Sequence, residues 1–247
     1  IVGILMCQLT KGKTLERLGE HAVALKALED ALTYSRCIRD VRRESVALRW
    51  IGIVFLREGN HENANKYFVE SFSISERLGD MSGIAMSLQC QGILSLEKGD
   101  INDAMERFKK SLRISRSLCE NPSVVNSMYW IGKAYEKEGN KKALRIFQKC
   151  LKSYRGIGNR RGLADSVFMV GVIHRKAGFL LSSLRKMGIA LEMYREMGCK
   201  LNIAEVLVEL GRTARETGKK DEALKLLQEA LELAEELENW KLKTETL

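Results

Sequence analysis

Residues 92–112 read GILSLEKGDINDAMERFKKSL. Ala104, Phe108 and Leu112 lie four apart, which places them on one stripe of an α-helix. Gly99-Asp100 stands just before that stripe and supplies a turn, then a capping oxygen. Gly92 falls seven residues before Gly99, inside a preceding helix, where a missing side chain lets a neighbouring helix come close. The stretch predicts a helix-turn-helix hairpin.

The hairpin recurs along the chain. Turn glycines fall at Gly19, Gly59, Gly99, Gly139, Gly178 and Gly218, with spacings of 40, 40, 40, 39 and 40. Seven residues before each stands another: Gly12, Gly52, Gly92, Gly132, Gly171 and Gly211. The second helix of each hairpin opens its stripe with Ala24, Ala64, Ala104, Ala143, Ser183 or Ala223. Four residues later come Leu28, Phe68, Phe108, Phe147, Met187 and Leu227. The fourth unit is one residue short, and the deletion falls in Asn140-Lys141-Lys142, a turn that absorbs what a helix interior would not. The first helix (A) is expected from about eight residues before to about six after its internal glycine, the second (B) over about 16 residues after the turn.

Between hairpins, Leu78-Gly79-Asp80, Ile157-Gly158-Asn159 and Met197-Gly198-Cys199 read as a helix C-terminus followed by a newly capped helix. The units are therefore 1–40, 41–80, 81–120, 121–159, 160–199 and 200–239, in one continuous array. Residues 240–247 start a seventh pair, and both ends cut through the pattern, which predicts an excerpt of a longer polypeptide.

Composition agrees with an all-α chain. There is one proline, Pro122, in a sequence that is 45% hydrophobic and 30% charged. No apolar run approaches the ~18 residues of a membrane span, and Ile1–Leu9 lacks the basic flank and cleavage site of a signal peptide. Six cysteines stand far apart with no C-x-x-C pair, predicting buried or half-buried free thiols in a reducing cytoplasm rather than a disulfide or zinc framework. The net charge is +9; residues 218–247 hold 5 basic and 8 acidic side chains, so the rest carries +12. That balance permits acidic partners without naming one.

At this point the residues resemble the tetratricopeptide repeat family. Unit two shows its pattern as Leu48, Ile51, Gly52, Phe55, Gly59, Ala64, Phe68 and Ser71, and unit four as Met128, Ile131, Gly132, Tyr135, Gly139, Ala143, Phe147 and Cys150. The common repeat has 34 residues and usually ends in proline; these units have 40 and lack it. In length they are similar to those of Pins-type scaffolds, kinesin light chain and the sensor arrays of signalling ATPases. The resemblance implies a right-handed α-α superhelix of about six hairpins, with A helices lining a concave groove that binds peptides or protein segments. It implies no catalytic site and no cofactor.

By the same analogy the groove is lined by Arg49, Trp50, Ile53, Arg57, Tyr129, Trp130, Lys133, Lys137, Phe168, Arg175 and Arg212. Aromatic anchors beside arginines are the composition of binding hot spots, and suit a segment with acidic and apolar residues. The competing expectation is that Trp50 and Trp130 only pack between neighbouring A helices. The asparagines of the chaperone-tail clamp of this family are absent. Gly156-Ile-Gly158-Asn-Arg-Arg-Gly162 superficially matches a phosphate loop, but a helix precedes it where a strand is required, so it reads as repeat punctuation. His21 and His61 are expected in exposed turns and His174 half-buried in the core; three histidines in separate units make no metal site or triad. The leading expectation is a protein-interaction scaffold. A ligand-sensing regulatory domain of a larger signalling ATPase or transcription regulator is the first alternative, and a nucleic-acid-binding solenoid the second.

Overall fold

The computed structural model describes residues 2–237 and Lys243. Among them the chain forms twelve α-helices and no strand. They are α1 (Val2–Leu18), α2 (His21–Cys37), α3 (Val41–Arg57), α4 (His61–Arg77), α5 (Met81–Glu97), α6 (Ile101–Ser117), α7 (Asn121–Lys137), α8 (Lys142–Gly156), α9 (Arg160–Lys176), α10 (Leu180–Glu196), α11 (Lys200–Glu216) and α12 (Lys220–Glu236). All but one have 17 residues; α8 has 15, so the one-residue deletion is taken up in the turn and in the first residues of that helix. The helices form two compact units, α1–α7 up to Glu138 and α8–α12 from Gly139 onward. The start of a seventh pair at 240–247 falls outside the described residues except for Lys243. No described helix is long and apolar enough to cross a membrane.

The connections are shorter than the sequence suggests, because one residue closes one helix and opens the next. After α3, Gly59 takes φ +76° and its N–H donates to Leu56 O, while Asn60 N–H donates to Phe55 O at 2.8 Å. That is a Schellman ending, which satisfies two orphan carbonyls. Asn60 Oδ1 then accepts from Asn63 N–H at 3.1 Å and caps α4. Asp40, Asp80, Asp100 and Asn159 do the same for α3, α5, α6 and α9. The A helices consequently begin about three residues earlier than periodicity alone predicts. Arg39 and Cys119 hold the left-handed position without being glycine, at φ 55° and 54°.

Five of the mid-A glycines, Gly12, Gly52, Gly92, Gly171 and Gly211, are faced by the large residue of the B helix sixteen positions on. A Cβ built on Gly12 would lie 2.5 Å from Leu28, on Gly52 2.6 Å from Phe68, and on Gly211 2.7 Å from Leu227. Phe68, Phe108, Phe147 and Leu28 are fully buried there. Leu5, Leu9, Ala24, Ala31, Ala47, Ile51 and Val54 form one apolar cluster across α1–α3. In the second unit Met187, Ala190, Tyr194, Val206, Leu207 and Ala230 form another across α10–α12.

Beside these apolar clusters the first unit carries a buried polar seam over α3, α4 and α5. Ser45, Ser71, Ser75 and Ser87 are buried together: Ser45 Oγ lies 3.0 Å from Ser71 Oγ and 2.9 Å from Ser75 Oγ, and Ser71 Oγ lies 3.2 Å from Ser87 Oγ. Ser111 and Ser127 repeat the pairing between α6 and α7 at 3.0 Å. A buried hydroxyl is tolerated because a neighbouring hydroxyl or carbonyl satisfies it.

Within each unit, successive A helices approach at the backbone: α1 to α3, α3 to α5, α5 to α7, and α9 to α11. Successive B helices meet instead through long side chains, as in Arg36–Glu70 at 3.0 Å and Arg195–Glu229 at 2.5 Å. The A side is therefore the tighter, inner side of each unit.

Candidate partner-binding face

In the first unit the inner face is carried by α1, α3, α5 and α7. Trp50 is half-buried against the α1–α3 cluster, and its ring is flanked by Lys13 Nζ at 5.7 Å and the Arg17 guanidinium at 5.9 Å. Both contacts are cation–π in kind. Lys13 is held below its ordinary value, first by burial and then by the charges of Arg49 and Arg17. Trp130 stacks over the buried Phe108 at 6.1 Å and meets Tyr129 edge-on at 5.5 Å. Both tryptophans thus pack on neighbouring helices with one side and keep part of their surface in solvent. Ile53 is half-buried against the cluster of Phe68, Cys90 and Leu94.

The basic residues fare differently from one another. Arg49 does not present itself to solvent as expected: it is 3% exposed, and its Nη1 has no hydrogen-bond partner. Arg57 Nε donates to Glu16 Oε1 at 3.3 Å, and Glu16 is itself buried. Lys137 Nζ donates to Leu96 O at 3.0 Å, at the end of α5. Lys133 is half-buried on the same helix. Two amides that the sequence pattern did not single out join this face, Asn126 Nδ2 donating to Gln89 Oε1 at 2.7 Å and Gln89 Nε2 to Ser127 Oγ at 3.2 Å. Gln89 stands forty residues after Arg49, so the repeat register places both at the same height.

In the second unit Phe168 is half-buried against the α10–α12 cluster. Arg175 and Arg212 belong to one ion network. Arg175 Nε donates to Glu209 Oε2 at 3.0 Å and its Nη1 to Glu216 Oε1 at 2.9 Å, while Arg212 Nη1 donates to Glu209 Oε1 at 2.6 Å. Burial works against the charge on Arg175, but Glu209 and Glu216 outweigh it and hold the guanidinium above its ordinary value. These two arginines are neutralised from within. The partners of Arg175 lie 34 and 41 residues along the chain, as Glu16 lies 41 from Arg57 and Leu96 41 from Lys137. One repeat plus one residue is an offset at which neighbouring A helices meet, and scanning for opposite charges there would have found Arg57–Glu16 and Arg175–Glu216, though not Arg175–Glu209.

The histidines depart from expectation in part. His21 and His61 each open a B helix and are half-buried rather than exposed in turns. His21 Nε2 is buried without a partner. His174 is half-buried as expected, with Nδ1 2.9 Å from Ser182 Oγ. Cys90, Cys150 and Cys199 are buried, but Cys7, Cys37 and Cys119 are exposed, Cys119 because the left-handed position it fills points outward. The glycine-rich stretch 156–162 is a junction: Gly158 has φ +69°, Asn159 caps α9, and a Cβ on Gly162 would lie 2.5 Å from the Tyr154 ring. Among the described residues no three of His, Cys, Asp and Glu are grouped to hold a metal ion.

Models of the tetratricopeptide repeat match residues 9–69, 126–156 and 166–236. The chain belongs to the tetratricopeptide repeat family. No curated protein sequence matches this tetratricopeptide-repeat chain. Among solved structures, the Rap conjugation gene regulator of plasmid pLS20, in complex with the Phr* peptide, is 14% identical with a TM-score of 0.76, over 96% of this chain and 63% of that one. NprR in complex with its cognate peptide NprX is 15% identical with a TM-score of 0.71, over 99% and 70%. A signal transduction ATPase with a tetratricopeptide repeat sensor, from Pyrococcus horikoshii, is 15% identical with a TM-score of 0.61, over 96% of this chain and 40% of that one. At such identities the likeness is one of fold.

Proposed function

We propose that this tetratricopeptide-repeat chain is a protein-interaction module that takes a peptide or protein segment with acidic and apolar residues on the inner face that the A helices form in its first unit. The observation that carries this reading is Trp50, part-exposed on the inner face with Lys13 and Arg17 against its ring. An aromatic surface beside cations without an internal counter-charge suits an apolar side chain next to a carboxylate. Trp130 and Tyr129, with Lys133 one turn away, offer a second such surface on α7. Arg175 and Arg212 contribute shape rather than charge, since Glu209 already occupies both. Two of the structurally similar proteins were captured with peptides, which supports a peptide as the occupant. No catalytic step forms part of this function.

The likeness to the sensor of the archaeal signalling ATPase favours a second version, in which the same face belongs to a regulatory domain of a larger protein. Both versions predict peptide capture. Panning a displayed peptide library on the full chain, with Trp50→Ala and Trp130→Ala variants as counter-selection, tests them together. Enrichment of acidic and apolar sequences that depends on the tryptophans is expected. Enrichment indifferent to both would remove the inner face from consideration, and salt-sensitive retention of RNA instead of peptide would favour a nucleic-acid solenoid.

A further inference from the structure

Among the described residues of the first unit's inner face, Arg49 is the cation whose surroundings do not account for it. It lies on α3 between Trp50 and the buried Leu48, is 3% exposed, and leaves Nη1 sealed without a hydrogen-bond partner. No described residue forms an ion pair with it. The groups that favour its charge are Cys90 and Asp80. Cys90 is a neutral thiol at ordinary pH, since burial pushes it up to about 11. Asp80 is already engaged, its Oδ1 accepting from Gly83 N–H at 3.1 Å at the start of α5. The other charges nearby are of the wrong sign, because Lys13 feels Arg49 and Arg17 together. A guanidinium removed from water with neither counterion nor full hydrogen bonding is among the costliest arrangements a fold can hold.

The other basic residues of this face show what an internally satisfied cation looks like here. Arg57 has Glu16, Arg175 has Glu209 and Glu216, and Lys137 has the Leu96 carbonyl. Forty residues after Arg49 the same height on α5 is filled by Gln89, a neutral amide with both ends hydrogen-bonded. A neutral, satisfied residue therefore suffices for packing at this height. The charge of Arg49 calls for another explanation.

Resting on the peptide-binding function proposed above, we infer that Arg49 is the anchor for a carboxylate of the partner, with Lys13 as the second cation and Trp50 as the platform for the apolar residue beside that carboxylate. The planar guanidinium fork matches a carboxylate edge with two parallel N–H···O bonds, which an ammonium does not offer. Four side-chain torsions let Arg49 swing from its buried position toward an arriving anion, and the binding contact replaces the hydration that burial removed. The inner faces of the two units thus differ in charge: open on α1 and α3 of the first, closed by Glu209 on α11 of the second.

The test uses the full chain and peptides enriched by library panning, resynthesised in three forms: free C-terminus, C-terminal amide, and acidic side chains replaced by their amides. Arg49→Met keeps length and helix propensity while removing the charge. The expected result is that Arg49→Met melts at a higher temperature than the parent, yet binds the free-acid peptide weaker on the order of 100-fold. Sensitivity to the C-terminal amide identifies a chain terminus as the carboxylate, and sensitivity to the side-chain amides identifies Asp or Glu; either supports the anchor if Arg49→Met abolishes it. Equal affinity of parent and variant for all three forms overturns the anchor and leaves the aromatic groove in place. A lower melting temperature for Arg49→Met overturns it as well, by showing that the arginine serves the fold. Enrichment of no peptide at all takes down the proposed function, and the anchor with it.

Discussion

The ring of Phe108 fills the space that a β-carbon on Gly92 would need: that carbon would stand 2.6 Å from Cε1. Phe108 is fully buried and Gly92 lies mid-helix, so neither can yield cheaply. Gly92→Ala gains helix propensity but overpacks the hairpin, and the packing loss wins by about 1–2 kcal/mol. A Cβ added to Gly188, on α10, would meet nothing within 4 Å, and its φ is not positive, so Gly188→Ala stabilises by about 0.5–1 kcal/mol. Urea denaturation of the two variants side by side gives shifts of opposite sign.

The capping residues permit a second paired comparison. Asp100 accepts from Asp103 N–H at 3.0 Å, and Asp100→Ala lowers stability by about 1 kcal/mol. At the start of α12 the cap is Lys219, which makes no such bond. Lys219→Asp supplies the missing acceptor beside the positive end of the helix dipole, and raises the stability of that last hairpin by about 1 kcal/mol. Hydrogen exchange of α12 amides reads the gain locally.

Glu209 sits between Arg175 and Arg212, with both it and Arg175 largely buried. Glu209→Ala strands Arg212 and leaves Arg175 with Glu216 alone, and costs about 2 kcal/mol, less than for a fully buried pair because Arg212 reaches water. Peptide affinity of the same variant rises or stays level for acidic peptides, since Arg212 becomes free while Arg175 keeps Glu216. A fall in acidic-peptide affinity would contradict the assignment of this network to the fold.

Thiol chemistry follows burial. Burial pushes Cys90 up to about 11 and Cys150 up to about 12, and Cys199 is buried as well. Cys7, Cys37 and Cys119 are exposed. Maleimide at neutral pH labels these three quickly in the native chain and the other three only in denaturant, as peptide mass mapping will show.

Two histidines set a pH dependence. His21 is held below the ordinary 6.5 chiefly by burial, Glu16 opposing and Arg57 adding; His174 is held below it by burial and then by Lys186. The folded chain therefore keeps both neutral where the unfolded chain has begun to bind protons. Stability is complete above 6.5, falls as pH drops through the window down to the folded values, and levels off below it. The urea midpoint declines as pH falls below 6.5, and the His21→Gln/His174→Gln double variant loses that slope.

The fold was legible because its register is local and repeated. Gly52 with Phe68 and Gly92 with Phe108 are each sixteen residues apart within their hairpins, and five copies of the spacing, with a sixth one residue shorter, fix which helix faces meet. The candidate face was legible only in part. Trp50, Trp130 and Tyr129 were found from position alone, but charge at the face is set between repeats. Arg175 looks as free in the sequence as Lys133, and only the approach of α9 to α11 brings Glu209 to it. The burial of Arg49 was hidden for a different reason: a register that places a residue on a face does not say whether a long side chain lies along the surface or folds beneath it.

The hydroxyl seam of the first unit has a mechanical consequence. An aliphatic interface of interdigitated side chains opens a gap with any relative shift, and so resists sliding. Ser45 Oγ instead has Ser71 O, Ser71 Oγ and Ser75 Oγ all between 2.9 and 3.1 Å, and Ser71 Oγ reaches Ser87 across the layer. Each hydroxyl can give or take a proton, so a small rotation of α3 or α5 against α4 trades one bond for another and leaves their number unchanged. The hydroxyl seam thus sets no single register of its own, and the register of α3, α4 and α5 is left to the apolar cluster of Phe68, Cys90 and Leu94 beside it.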